Sequence, residues 1–245
     1  MRMKIFAFAI SVLTAASAHA FDPTTDITEL EWQEWPEFCR IAYVRSGYSA
    51  GSPYRRRISP DVRERGKDLL AQVGISGPHH FCTGIVLLHR AQRGTVIGSK
   101  RDSLLQVAAG EFEYSYKNSS EDHPAYAVVS DYLGRALHMQ SNQAKAYGVW
   151  RRAIELWPND TRCYVTMAKA MSEDGHPDRA IEVLERFPDH ESVETSDFLF
   201  AKATALHASG RSGEARPIAE KLVQRGYAAK ALLEKINKGR TAGEK

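Results

Sequence analysis

The chain of 245 residues carries 33 lysines and arginines against 30 aspartates and glutamates. That near balance argues against a protein built around one strongly basic face, the usual footprint of nucleic-acid binding. The longest apolar run, about a dozen residues, is too short to span a bilayer, and three cysteines without a CxxC argue against a thioredoxin-type redox pair.

The first twenty residues read as a leader. Arg2 and Lys4 supply positive charge, residues 5–16 (IFAFAISVLTAA) an apolar core, and Ala18-His19-Ala20 the small residues that a signal peptidase reads. Cleavage is therefore expected after Ala20, before Phe21, placing the mature chain in the periplasm or outside the cell. Removing Arg2 and Lys4 from the 33 basic residues leaves 31 against 30 acidic ones.

Residues 21–76 form the expected N-terminal cap region. LEWQEWPEFCRIAYVR, residues 30–45, is rich in aromatic side chains and predicts a helix after Pro36. Residues 46–59 hold glycine, serine, proline and Arg55-Arg56-Arg57, the composition of an exposed loop. Within it Gly47-Tyr48-Ser49-Ala50-Gly51 matches GxSxG, so a small hydrolase with Ser49 as nucleophile is one reading. That elbow needs a strand before it and a helix after it. The following SPYRRRISP cannot continue as a helix, and this reading ranks last. Ser59-Pro60 is a cap followed by a first-turn proline, predicting a helix over residues 61–73.

Residues 77–91, GPHHFCTGIVLLHRA, raise a second alternative. His79, Cys82 and His89 would fall near one face of a helix. Zinc or copper accepts such ligands, so a metal or cofactor carrier is possible with a fourth ligand from elsewhere. The simpler reading is a packed helix that binds no metal or cofactor. His80 then fills a bulky packing position and Cys82 faces the N-terminal segment. Exported thiols tend to pair, and Cys39 with Cys82 is the expected disulfide. Its loop of 42 intervening residues gives about 3–4 kcal/mol of closure. Cys163 is left as a buried thiol.

The chain then repeats itself. Numbering Ala127 as position 1, Leu133 and Gly134 fall at 7 and 8, Ala146 at 20, Trp150 at 24, Ala153 at 27 and Pro158 at 32. The next unit, from Thr161, puts Met167 and Ala168 at 7 and 8 and Ala180 at 20, but Phe187 stands at 27 and Pro188 comes early, predicting a short second helix. A third, from Ser196, has Ala203 at 8 and Ala215 at 20. Small residues at 8, 20 and 27 let antiparallel helices approach closely, and large ones at 7, 11 and 24 fill the space between them. This pattern resembles the tetratricopeptide repeat, a helix–turn–helix unit of 34 residues. The order WPEFCR, HHFCTG and an aromatic-rich helix is also similar to a set of exported bacterial repeat proteins.

The resemblance implies an all-α solenoid of helical hairpins behind an N-terminal helical cap. Its expected parts are a degenerate pair over residues 77–124, units over 127–160, 161–195 and 196–226, a capping helix over 227–238 and a disordered tail over 239–245. In the degenerate pair Gly84 takes position 8, and Ala108 and Phe112 stand like 20 and 24. About a dozen extra residues separate its two halves. The resemblance also implies a concave wall lined by first helices. Its candidate residues are Asp131, Arg135 and His138, then Arg162 and Lys169, then Phe200 and His207. A basic strip of Arg135, Arg162 and Lys169 suits an acidic peptide segment or helix of a partner protein. The expected function is thus a non-catalytic interaction scaffold of a cell-envelope assembly, with no nucleic acid and no membrane span.

Overall fold

The structure, a computed structural model, describes residues 27–46 and 52–243, the last few by backbone alone. The expected leader with its cleavage site and the Gly47–Gly51 motif with Ser49 lie outside the described residues. Twelve α-helices and one 3-10 segment account for the regular structure, and no strand occurs among the described residues. None of these helices is long and apolar enough to cross a membrane.

Helix α1 (Glu29–Glu34) precedes the expected helix after Pro36. Its signal is a capping box: the Thr28 hydroxyl accepts from the Glu31 amide, and the Glu31 carboxylate accepts from the Thr28 amide at 2.9 Å. Helix α2 (Glu37–Arg45) carries Cys39, Ile41, Ala42, Tyr43 and Val44 inward. Part of the expected loop is instead a 3-10 segment (Pro53–Arg57), started by Ser52 and Pro53. Helix α3 (Pro60–Val73) starts at the Ser59 cap, whose hydroxyl accepts from the Val62 amide.

Helix α4 (Pro78–Gln92) and α5 (Gly98–Asn118) form the next hairpin. The extra residues lie partly in longer helices. Relative to the next unit, α4 runs three residues further past its close-approach glycine, the turn is two longer, and α5 starts seven residues earlier. Then come α6 (Ala125–Met139) with α7 (Gln143–Leu156), and α8 (Thr161–Glu173) with α9 (Pro177–Glu185). Helix α10 (Ser196–Ala208) pairs with α11 (Ser212–Gln224), and α12 (Lys230–Gly243) packs on α11. Helix α12 extends past residue 239, where a disordered tail was expected. No proline interrupts residues 239–243, and one interior glycine costs an established helix only about 1 kcal/mol.

Packing follows one rule. Each second helix packs on its own first helix, and α4, α6, α8 and α10 touch in succession. The small residues explain the closeness. A Cβ on Gly134 would stand 2.2 Å from Trp150 Nε1, and one on Gly84 would stand 2.6 Å from Phe112. Both pairs join position 8 to position 24, so the irregular first hairpin keeps the same internal contact. Trp150, Phe112, Ala146, Ala180 and Ala215 are fully buried, in one continuous apolar cluster from Ile27 to Ile236.

The cap is fastened to α4 in several ways. Cys39 and Cys82 form a disulfide, with Cα atoms 5.4 Å apart. Trp35 Nε1 donates to the Cys82 carbonyl at 3.1 Å. Arg90 forks onto buried Glu31, Nε to Oε1 at 2.5 Å and Nη2 to Oε2 at 2.7 Å, and Arg93 pairs with Glu34. Burial alone would raise the Glu31 carboxyl. Arg90 and the Thr28 hydrogen bonds outweigh it and hold the carboxyl below its ordinary value.

Candidate functional site: a cationic cleft between first helices

A cleft of about 480 Å³ opens where α6 and α8 meet the turn between α4 and α5. Its polar wall carries the cations Arg101, Arg135 and Lys169 with the His138 imidazole among them, and Glu173. Half-buried Met139 gives it an apolar edge, and buried Ala91, Trp150 and Ala170 lie beneath its floor. The helical period puts these side chains together: Arg135, His138 and Met139 sit one turn apart on α6, and Thr166, Lys169, Ala170 and Glu173 do the same on α8.

Each of these side chains has a defined support. Arg135 lies over the Tyr132 ring at 5.1 Å and reaches Asp131 Oδ2 at 3.4 Å. His138 Nε2 donates to Asp174 Oδ1 at 3.0 Å, and the Tyr147 hydroxyl donates to Asp174 Oδ2 at 2.5 Å. Burial would raise the Asp174 carboxyl, but these two donors hold it below its ordinary value. Arg101 Nε donates to the Ala91 carbonyl at 3.3 Å. Lys169 Nζ stands 3.9 Å from Asp197 Oδ1, a loose and exposed pair of small energetic worth. His89 lies behind the wall, where burial first and Arg135 next push its imidazole below the usual range.

Asp131 is the strained group. It is buried, its Oδ1 makes no hydrogen bond, and burial pushes its carboxyl up despite the nearby Arg135, Thr166 and Arg162. A folded-state pKa above the unfolded value means that stability is fully present below the unfolded carboxylate range and lost as pH rises through the folded value. Asp131→Asn therefore raises the urea midpoint at pH 7 and flattens the loss of stability between about pH 4 and 7. Paired urea titrations at the two pH values measure it. An unchanged pH dependence contradicts the assignment.

The cleft gathers Arg135, His138 and Lys169, but other expected wall residues lie elsewhere. Arg162 pairs with Asp160 at 3.4 Å and lines a separate cleft of about 590 Å³ beside Trp157 and Pro158. Phe200 packs against Tyr227, ring centres 5.6 Å apart, and His207 Nδ1 bonds the Ser212 hydroxyl at 2.9 Å. Arg101 and Thr166 were not foreseen. Arg101 comes from the hairpin of irregular length, where no repeat register applies. Thr166 lies one residue beyond the expected position, and Val165 turns into the core instead.

The three residues of the metal alternative are not assembled as ligands. The Cys82 sulfur is bonded to Cys39. His79 has His80 and Glu111 as neighbours, whereas His89 lies among Arg135, Glu34, Arg93 and Glu31. His80 Nδ1 donates to Glu111 Oε2 at 2.6 Å and its ring lies against Tyr114. Among the described residues no group of three or more His, Cys, Asp or Glu side chains is placed to hold a metal ion. Cys163 is buried, with its thiol pushed up by desolvation and its Sγ donating to the Ala127 carbonyl.

Comparison with protein-family models, with curated proteins and with solved structures gives no match to this chain.

Proposed function

We propose that this chain is a non-catalytic, tetratricopeptide-type scaffold of a cell-envelope assembly. Its cleft holds an acidic segment, extended or helical, of a partner protein. The observation that carries this reading is the convergence of Arg101, Arg135, His138 and Lys169 from three helices on one open cleft, with Glu173 the one carboxylate in its lining. Such a wall attracts carboxylates through charge-assisted hydrogen bonds, and its apolar floor accommodates the side chains between them.

Two further observations support the scaffold reading. The close-approach residues Gly134, Ala168 and Ala203 recur at the same place in successive hairpins, 34 and 35 residues apart. The first helices then pack in a row, as a curved repeat array requires. Placement in the periplasm rests on the leader-like residues 1–20 together with a disulfide of the kind that persists in oxidising compartments.

The test is charge reversal. Arg135→Glu with Lys169→Glu removes capture of the partner by cross-linked pull-down from intact cells, while the far-UV circular dichroism stays that of a folded helical chain; the urea midpoint falls, because the reversal at 135 takes the cation away from buried Asp131. Two reversals inside one cleft weaken binding by about a hundredfold or more. Undiminished capture by a folded double variant would falsify the cleft assignment.

A further inference from the structure

The charge of the chain is unevenly placed. Residues 40–67 hold eight arginines and lysines against two acidic side chains, a local charge of +6 in a chain whose total is +3. These residues fall in α2, the 3-10 segment and α3, at the end of the hairpin row away from α12. Helix α3 packs chiefly on α2 and buries only Gly66, whose missing side chain makes room for Ile41: a Cβ there would stand 2.3 Å from Ile41 Cγ2.

The cations do not scatter evenly over this end. Arg45, Arg55, Arg63 and Lys67 line one shallow cleft of about 360 Å³, with Glu64 the one carboxylate in its lining. Arg45 Nη1 donates to the Arg63 backbone carbonyl at 2.6 Å, which ties α2 to α3 and holds the Arg45 guanidinium over the start of α3. Lys67 contacts Glu64 at 2.6 Å, but both side chains are more than half exposed, so the pair is weak and screened. Arg57 is engaged by Glu29 at 2.7 Å and by the Tyr54 ring, and serves to hold the 3-10 segment down.

We infer that this end of the molecule is a docking surface for a membrane bearing anionic phosphate headgroups. Arginine binds phosphate oxygens with paired N–H donors, and a cluster of four to eight cations is the size that holds a chain to an anionic leaflet. A terminal patch suits a broad planar partner: it can rest on the surface while the cleft between α6 and α8 stays open. Duplex or single-stranded nucleic acid fits less well, because six to ten phosphate contacts along a continuous track are usual there, and the remainder of this chain is net acidic.

The test is vesicle co-sedimentation of the full chain, read as the ratio of partitioning onto phosphatidylglycerol–phosphatidylcholine vesicles over phosphatidylcholine alone. That ratio isolates the charge-dependent part from any contribution of the apolar residues 5–16. Four cations at roughly fivefold each put it above about a hundredfold at low salt, and it falls as salt is raised. Arg55→Gln, Arg63→Gln and Lys67→Gln together lower it by about a hundredfold, roughly fivefold per cation. Arg55→Gln with Arg56→Gln, confined to the 3-10 segment, lowers it about 25-fold and serves if the triple variant is unfolded by circular dichroism. Arg135→Glu with Lys169→Glu leaves it unchanged, which separates this surface from the partner cleft. A ratio near one for the parent chain, an undiminished ratio in a folded variant, or tighter binding to a DNA oligonucleotide than to the anionic vesicles overturns the inference.

Discussion

Cys39→Ser with Cys82→Ser lowers the unfolding free energy by about 3–4 kcal/mol, and the loss is confined to the N-terminal third. The bridge closes a separation of 43 residues, so its removal returns that loop's freedom to the unfolded chain. The remaining ties are Glu31 with Arg90, Glu34 with Arg93 and the Trp35 indole on the Cys82 carbonyl. These are non-covalent contacts, lost on unfolding, that cannot restrict the unfolded ensemble. In a row of hairpins each unit feels chiefly its neighbours, so the cap frays first. Hydrogen exchange is expected to accelerate across α1 to α3 while α6 to α11 stay protected. A uniform acceleration along the whole chain would show that the row unfolds as one body and that the cap is not separable.

Trp150→Ala is expected to cost about 3–5 kcal/mol, the range for removing a buried large aromatic side chain. Trp150 is fully buried, lies against Gly134, donates weakly to the Asp131 carbonyl at 3.4 Å, and has the rings of Tyr147 and His138 as neighbours at 5.9 and 6.2 Å. The indole therefore underpins both the hairpin and the cleft wall. Gly134→Ala tests the same contact from the other side. Alanine is intrinsically the better helix residue by about 1 kcal/mol, yet here its methyl would overlap the indole. The expected net effect is a destabilisation of about 1–3 kcal/mol. Urea titration of both variants measures it, and a Gly134→Ala chain more stable than the parent contradicts the close approach.

The hairpins from α6 onward are legible because their cause is local and periodic. A small residue eight places into each unit and another at twenty state where two helices must touch. The irregular first hairpin was legible only through Gly84 and Phe112, since its added residues leave that one contact intact. The short α9 follows from Phe187 and Pro188. Helix α1 was not predicted although Thr28 and Glu31 spell its start, because its six residues are too few to show a helical period.

The cleft was legible to the extent that it depends on one helix face. Arg135, His138 and Lys169 project from regular first helices and meet. Arg162 does not, because it begins α8 and turns to the acid that caps that helix, Asp160. Arg101 depends on where a long turn delivers the next helix, which no spacing within the repeat encodes. The face shared by His79, Cys82 and His89 was readable from spacing, but the partner that takes the Cys82 sulfur comes from another element, α2.

On the proposed function, the cleft between α6 and α8 is the place where a partner is held. A photo-activated cross-linking residue placed at Thr166, inside the cleft, and separately at Lys221, on the exposed face of α11, tests this in intact cells. A discrete adduct with one partner chain is expected from position 166, lost when Arg135 and Lys169 are changed to glutamate, and none from position 221. No adduct at 166, or one that survives the charge reversals, contradicts it.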